Sequence, residues 1–179
     1  MTSSDERYTP KWVVNLIHKV LGEIDLDPTN NHRNSTLAKH RFSEDNSCLT
    51  SYYWGAGLQK LDTVYMNPPF SNSHVFLNKF IEQQKFYLFD GITCTLSGAL
   101  HNKRTQHLFT HAKAICIWYG RLEFEFPEEI KRNGNDRDVI FAFFGECVTK
   151  ASRDRLNRFI TIFSDHGLIV KPEAFGVEK

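Results

Sequence analysis

Apolar and polar positions along the chain recur with two periods. Residues 10–21, PKWVVNLIHKVL, set Trp12, Val13, Leu16, Ile17, Val20 and Leu21 at helical spacing, with Thr9 as N-cap and Pro10 at the first position. Gly22 stops that helix. The following EIDLDPTNN alternates, Ile24 and Leu26 pointing one way and Asp25 and Asp27 the other, until Pro28 closes a short strand. A second apolar strand, residues 63–66, runs into the corner Asn67-Pro68-Pro69-Phe70, after which Val75, Phe76, Phe80 and Ile81 return to helical spacing. Further strands are expected over residues 87–96, 114–118 and 139–144, with an alternating GRLEFEF between the last two. Helices are expected over about 102–112 and 152–163. Strands alternating with helices predict one α/β domain, a mostly parallel sheet flanked by helices. Ligands bind such sheets beyond the carboxyl ends of the strands, where the polar corners at residues 25–31 and 67–72 both fall.

Composition narrows the class. A chain of 179 residues with 41% hydrophobic content and 15 Phe has enough apolar mass for one sizeable core, which excludes a disordered or collagen-like chain. The start, MTSSDERYTPKW, is polar where a signal peptide would be basic and then apolar, and no run approaches the ~20 apolar residues of a membrane span. A cytoplasmic protein with no membrane partner is expected. Cys48, Cys94, Cys116 and Cys147 lack C-x-x-C spacing and lie in or beside apolar runs, so neither disulfide nor zinc site is expected. His107 and His111 are spaced i, i+4 without an H-E-x-x-H pattern, and no metal is assigned to them. With 22 Lys+Arg against 21 Asp+Glu, any contact to nucleic acid must be local.

The corner at Asn67 carries the most chemistry. Two successive prolines fix φ near −65° and restrict the residue before them, so the corner is stiff. Such a corner can aim the Asn67 amide oxygen and the Pro68 carbonyl at one exocyclic amino group, while the Phe70 ring stacks on the base that carries it. Accepting both amino hydrogens makes the nitrogen less conjugated and more nucleophilic, which suits methyl transfer from a sulfonium donor. No Pro-Cys nucleophile accompanies it, which argues against the covalent route of cytosine-C5 methylation.

Asn67-Pro68-Pro69-Phe70 after a strand resembles the (N/D/S)-P-P-(Y/F/W) motif of amino-group DNA methyltransferases. More of the chain, from about residue 8 to 145, resembles the small phage and prophage Dam-like adenine-N6 DNA methyltransferases. The ordered features are Thr9-Pro10 with its helix, Asp25-Leu26-Asp27-Pro28 with Asn30-Asn31, and Asp45-Asn46 with Leu49 and Trp54. Asn67 to Ser71 and Gly120-Arg121-Leu122-Glu123-Phe124 complete them. The resemblance implies a Rossmann-like methyltransferase fold, S-adenosylmethionine as donor, and adenine extruded from DNA as acceptor. It implies Asn67, Pro68, Pro69 and Phe70 as the catalytic pocket. It places Tyr8, Thr9 and Pro10 near the methionine part of the donor, and Asp25 or Asp27, with Pro28 and Asn30, against its ammonium or ribose hydroxyls. Asp45 is the candidate for the donor's adenine. Ser71, Arg104, Arg121, Arg132 and Arg153 are candidate DNA contacts, from loops and from the basic stretch 150–158, since no large recognition domain fits in the length.

The sequence departs from the family pattern where Asp27-Pro28-Thr29-Asn30-Asn31 stands in place of a glycine-rich F-x-G-x-G turn. That departure keeps open a non-catalytic DNA-binding protein on the same fold. The N-P-P corner also leaves RNA adenine, cytosine N4 or a protein glutamine as acceptors. Oligomeric state and target sequence are not legible.

Overall fold

The computed structural model describes residues 7–29, 35–42, 47–125 and 136–172. Helix α1 (Lys11–Leu21) buries Val13, Val14, Ile17, Val20 and Leu21; of the positions its spacing marks, Trp12 is exposed and Leu16 half-buried, and Val14 joins the buried face instead. Gly22 ends it at φ 82°, a left-handed conformation that favours glycine. At its start Pro10, not Thr9, holds the cap position, with no side-chain cap bond. The Thr9 hydroxyl is turned onto the sheet instead, where it shares a 2.6 Å hydrogen bond with the Tyr65 hydroxyl.

Strands β1 (Leu26–Asp27), β2 (His40–Arg41), β3 (Thr63–Met66), β4 (Asp90–Leu96) and β5 (Ala114–Trp118) join β8 (Val139–Phe144) and β9 (Gly167–Val170) in a seven-stranded sheet. Its order is β2-β1-β3-β4-β8-β5-β9. A separate hairpin pairs β6 (Leu122–Glu123) with β7 (Asp136–Arg137). β8 reads VIFAFF without a polar residue because it is covered on both faces. Val139, Phe141 and Phe143 enter the core beneath α1 and α3 (Lys150–Phe163), while Ile140, Ala142 and Phe144 enter that of α2 (Ser73–Tyr87).

The sheet is mixed, which corrects the expectation of a mostly parallel one. β2, β1, β3 and β4 pair in parallel, but β8 lies antiparallel to both β4 and β5, and β9 antiparallel to β5. Among the described residues the connection from β5 to β8 runs through β6 and β7 and holds no crossover helix, and β8 returns antiparallel. A second correction concerns residues 102–112, where the chain forms a 3-10 turn at Gln106–His111 rather than an α-helix. His107 and His111 therefore do not share a helical face. The Thr105 hydroxyl, bonded to the Ala99 carbonyl, holds the tighter turn.

Two arginines of the basic stretch bond to other elements of the fold. Arg155 donates to the buried Asp90 carboxylate at 2.8 Å, which Ser152 also meets, and Arg158 donates through two nitrogens to the Val20 carbonyl at the end of α1. These contacts fasten α3 to the sheet and to α1. Arg155→Met leaves a carboxylate buried without its cation and should lower the unfolding free energy by about 3 kcal/mol, read from a urea midpoint, with little effect on any DNA affinity.

Candidate active site

β3 is buried along its whole length and ends because neither Pro68 nor Pro69 can donate to a ladder. Asn67 is thus the last residue of that strand segment with an N–H to place, and it donates to the Thr29 hydroxyl at 3.2 Å. The Asn67 side chain is held as well, Nδ2 donating to the Arg7 carbonyl at 3.2 Å. Because that partner is an acceptor, the amide cannot be turned over, and Oδ1 is left facing the other way. Oδ1 is buried and has no hydrogen-bond partner. A buried acceptor in that state costs about 1–3 kcal/mol, recovered by any ligand that brings an N–H.

Three residues on, Phe70 is half-buried and meets the Phe124 ring at 5.5 Å with an interplanar angle of 77°. The Arg7 guanidinium lies over the Phe70 ring, 5.2 Å from its centre. Both neighbours are positioned by one strap. Tyr8 and Glu125 exchange backbone hydrogen bonds of 2.8 and 3.0 Å, tying the segment before α1 to the end of β6. The alternation GRLEFEF sets Leu122 and Phe124 inward and Glu123 and Glu125 outward, as the sequence predicts. The structure thus brings Tyr8, Thr9 and Pro10, all buried, beside the Asn67 corner.

Asp25 and Asp27, equivalent in the sequence, are not equivalent in the fold. Asp25 lies at the start of β1, where its Oδ2 accepts from the Asp62 and Thr63 amides and its Oδ1 from Lys39. Burial pushes its pKa up, but Lys39 and the Asp62 amide outweigh that and hold it below the usual value. It is a fastener at the end of the sheet away from Asn67. Asp27 is 2% exposed at the carboxyl end of β1. Among the described residues its oxygens accept from neutral donors: the Thr29 amide at 3.0 Å, the Thr29 hydroxyl at 3.1 Å and the Thr36 hydroxyl at 2.8 Å. Desolvation outweighs these bonds and raises its pKa to about 6.

Of the candidate DNA contacts, Ser71, Arg104, Arg121 and Arg153 are exposed. Arg153 donates to the Val148 carbonyl at 2.6 Å and Arg121 faces Asp138 at 3.6 Å. Asn30, Asp45 and Arg132 lie outside the described residues. The structure adds Arg7, Thr29, Thr36 and Tyr65 to the site, none signalled by a motif of its own, and Phe124, which belongs to the G-R-L-E-F element. Among the described residues no three His, Cys, Asp or Glu side chains gather as a metal site requires, and no helix is long and apolar enough to cross a membrane.

The raised pKa of Asp27 sets a stability dependence. The folded state holds the Asp27 proton more tightly than the unfolded chain, so the stabilisation is complete below pH 3.8 and is lost as pH rises through about 6. Asp27→Asn, whose amide can still accept from Thr29 and can donate to Thr36, should therefore unfold at higher urea than the parent at pH 8, by up to about 3 kcal/mol. At pH 3.5 the two midpoints should coincide.

A family model described as DNA N-6-adenine-methyltransferase (Dam) matches residues 2–158. A DNA N-6-adenine-methyltransferase of Escherichia phage T1 is 32% identical over 146 residues, 80% of this chain and 55% of the phage protein. The chain therefore spans about half the length of that relative. With the N-P-P-F corner and its buried amide oxygen at the end of β3, and with a family model that covers most of the sequence, the chain belongs to the Dam family of DNA N-6-adenine-methyltransferases.

Proposed function

We propose that the chain is an S-adenosylmethionine-dependent DNA methyltransferase acting on adenine N6, on a single Rossmann-like domain whose loops read the target. The observation that carries the reading is the Asn67 amide oxygen, buried, without a partner, and locked in orientation by the Arg7 carbonyl. An exocyclic amino group supplies the missing donor. Asn67 Oδ1 and the neighbouring Pro68 carbonyl accept its two hydrogens, drawing the nitrogen lone pair out of conjugation with the ring. Phe70 stacks on the base, which takes the ring face under Arg7 or the one opposite. The rigid Pro68-Pro69 backbone makes this preorganised, so catalysis is orientation and hydrogen-bond polarisation. The proton released from N6 leaves to water, since neither an amide nor a peptide carbonyl is basic enough to keep it.

The residues fit a cationic donor through Asp27. Its carboxylate is desolvated at the strand end and, among the described residues, bonded to neutral groups, so a positive group brought close lowers the cost of ionising it. S-adenosylmethionine when bound supplies a methyl group on a sulfonium centre and carries an ammonium beside it. Asp27 and the Pro28-Thr29 turn, with the Tyr8-Thr9-Pro10 strap as the facing wall, are the groups we assign to hold it. Asp25, committed to Lys39 and to the start of β3, is left out of that set.

Nucleoside mass spectrometry of DNA treated with the protein and methyl-labelled donor tests the reading directly. Labelled N6-methyladenine is expected. Label on cytosine N4, on RNA alone, or nowhere overturns it. Asn67→Ala should lower kcat by about 10²–10³-fold with the donor Kd unchanged. The donor Kd measured by calorimetry should be flat above pH 7 and weaken roughly tenfold by pH 5 as Asp27 takes up its proton. In Asp27→Asn that dependence should vanish.

A further inference from the structure

Continuing the β1–β3 pairing in step from Leu26 opposite Val64 puts Thr29 opposite Asn67. Pro28 has broken β1 by then, and the Thr29 side chain takes the place of a ladder partner. Its hydroxyl has one proton and two lone pairs. The proton goes to Asp27 Oδ1 at 3.1 Å, and a lone pair accepts the Asn67 N–H at 3.2 Å. The Thr29 amide adds a second bond to the same Asp27 oxygen at 3.0 Å, which fixes the hydroxyl in place. One atom therefore touches both the carboxylate assigned to the donor and the residue assigned to the acceptor.

We propose that Thr29 is the positioning residue of this site, its hydroxyl linking Asp27 to the Asn67 backbone so that the charge state of Asp27 sets the Asn67 amide. The inference rests on the reading of the two sites given above. A hydroxyl that donates to an ionised carboxylate becomes a better acceptor for the next N–H in the chain, and a weaker one when the carboxyl is protonated. A cationic donor that keeps Asp27 ionised thus tightens the hold on Asn67 before the base arrives. Among the described residues the titratable or charged groups around Asp27 are Tyr65 and Cys48, Asp25 on the same segment, His40 and Arg41 on the neighbouring β2, and His18, which meets the Thr36 carbonyl. Burial drives the Tyr65 phenol of β3 well above its ordinary value and the Cys48 thiol up to about 12, and Asp25 is held down by Lys39.

The test needs no bound donor. In a 15N-labelled chain titrated from pH 8 to 4.5, the Asn67 backbone amide resonance should move with the same midpoint as the Asp27 carboxyl carbon. In Thr29→Val that movement should fall by more than half while Asp27 still titrates, and Thr29→Ser should restore it. Thr29→Ala, which leaves room for a water beside the Asn67 N–H, gives the same reading if the valine variant does not fold. In turnover, Thr29→Val should lower kcat roughly tenfold to a hundredfold with the donor KM within about threefold, and Thr29→Ser should recover most of it. An Asn67 resonance that follows Asp27 equally well without the hydroxyl, or a serine variant no better than valine, overturns the proposal. A parent protein that methylates nothing overturns the adenine reading instead, and the titration still decides the link through Thr29.

Discussion

Everything at this site depends on how one amide is held. Asn67 sits where β3 can no longer pair, two groups from distant parts of the chain meet it, the Arg7 carbonyl and the Thr29 hydroxyl, and the rigid Pro68-Pro69 backbone follows it. None of them binds Oδ1, and that is the point of the arrangement. A side-chain amide free to rotate would turn Oδ1 toward any nearby donor and satisfy itself. Pinned through Nδ2 to a carbonyl, it keeps its acceptor unused.

The sheet is what makes that pinning possible. β1 and β3 are parallel neighbours, so their carboxyl ends lie side by side and Asp27, Thr29 and Asn67 come together from 38 residues apart. The segment before α1 reaches the same place because Tyr8 is stitched to Glu125 and Thr9 to Tyr65. At the opposite end, Asp25 performs the same stitching for the start of β3, and Arg155 with Asp90 does so for α3. Buried polar contacts thus fix the two ends of the sheet, while the phenylalanine-rich faces of β8 supply the apolar mass between them.

Legibility in the sequence followed the range of the interaction. α1, β3, β8 and α3 were readable because each is decided by its own spacing and burial. The Asn67 corner was readable because two prolines act on the backbone locally. The insertion of β8 between β4 and β5 was not, since alternating strands and helices do not say which strand lies beside which. Asp25 and Asp27 alternate on the same segment, but Asp25 takes partners 14 to 38 residues away and Asp27 takes Thr29 and Thr36, so the alternation alone could not separate fastener from candidate ligand. Thr29 carries no motif, and its role exists only once the β1–β3 register is known. Arg155 and Arg158 read as a solvated or phosphate-facing stretch because their partners, Asp90 and Val20, lie on other elements.

Two unfavourable features of the fold lie on adjacent strand ends. A desolvated Asp27 carboxylate costs about 3 kcal/mol at neutral pH and the unused Asn67 oxygen about 1–3 kcal/mol, against a total stability of roughly 5–15 kcal/mol for a domain. Losses of that scale do not persist at two neighbouring places by loose packing, because Asp27 is bonded on both oxygens and Asn67 on two of its groups. The core tolerates them through a sheet buried on both sides. On the proposed reading each is relieved by a different molecule, a cation at Asp27 and an amino group at Asn67. Binding energy from either partner is then directed to the atoms that must be oriented for methyl transfer, and the hydroxyl of Thr29 lets relief at one reach the other.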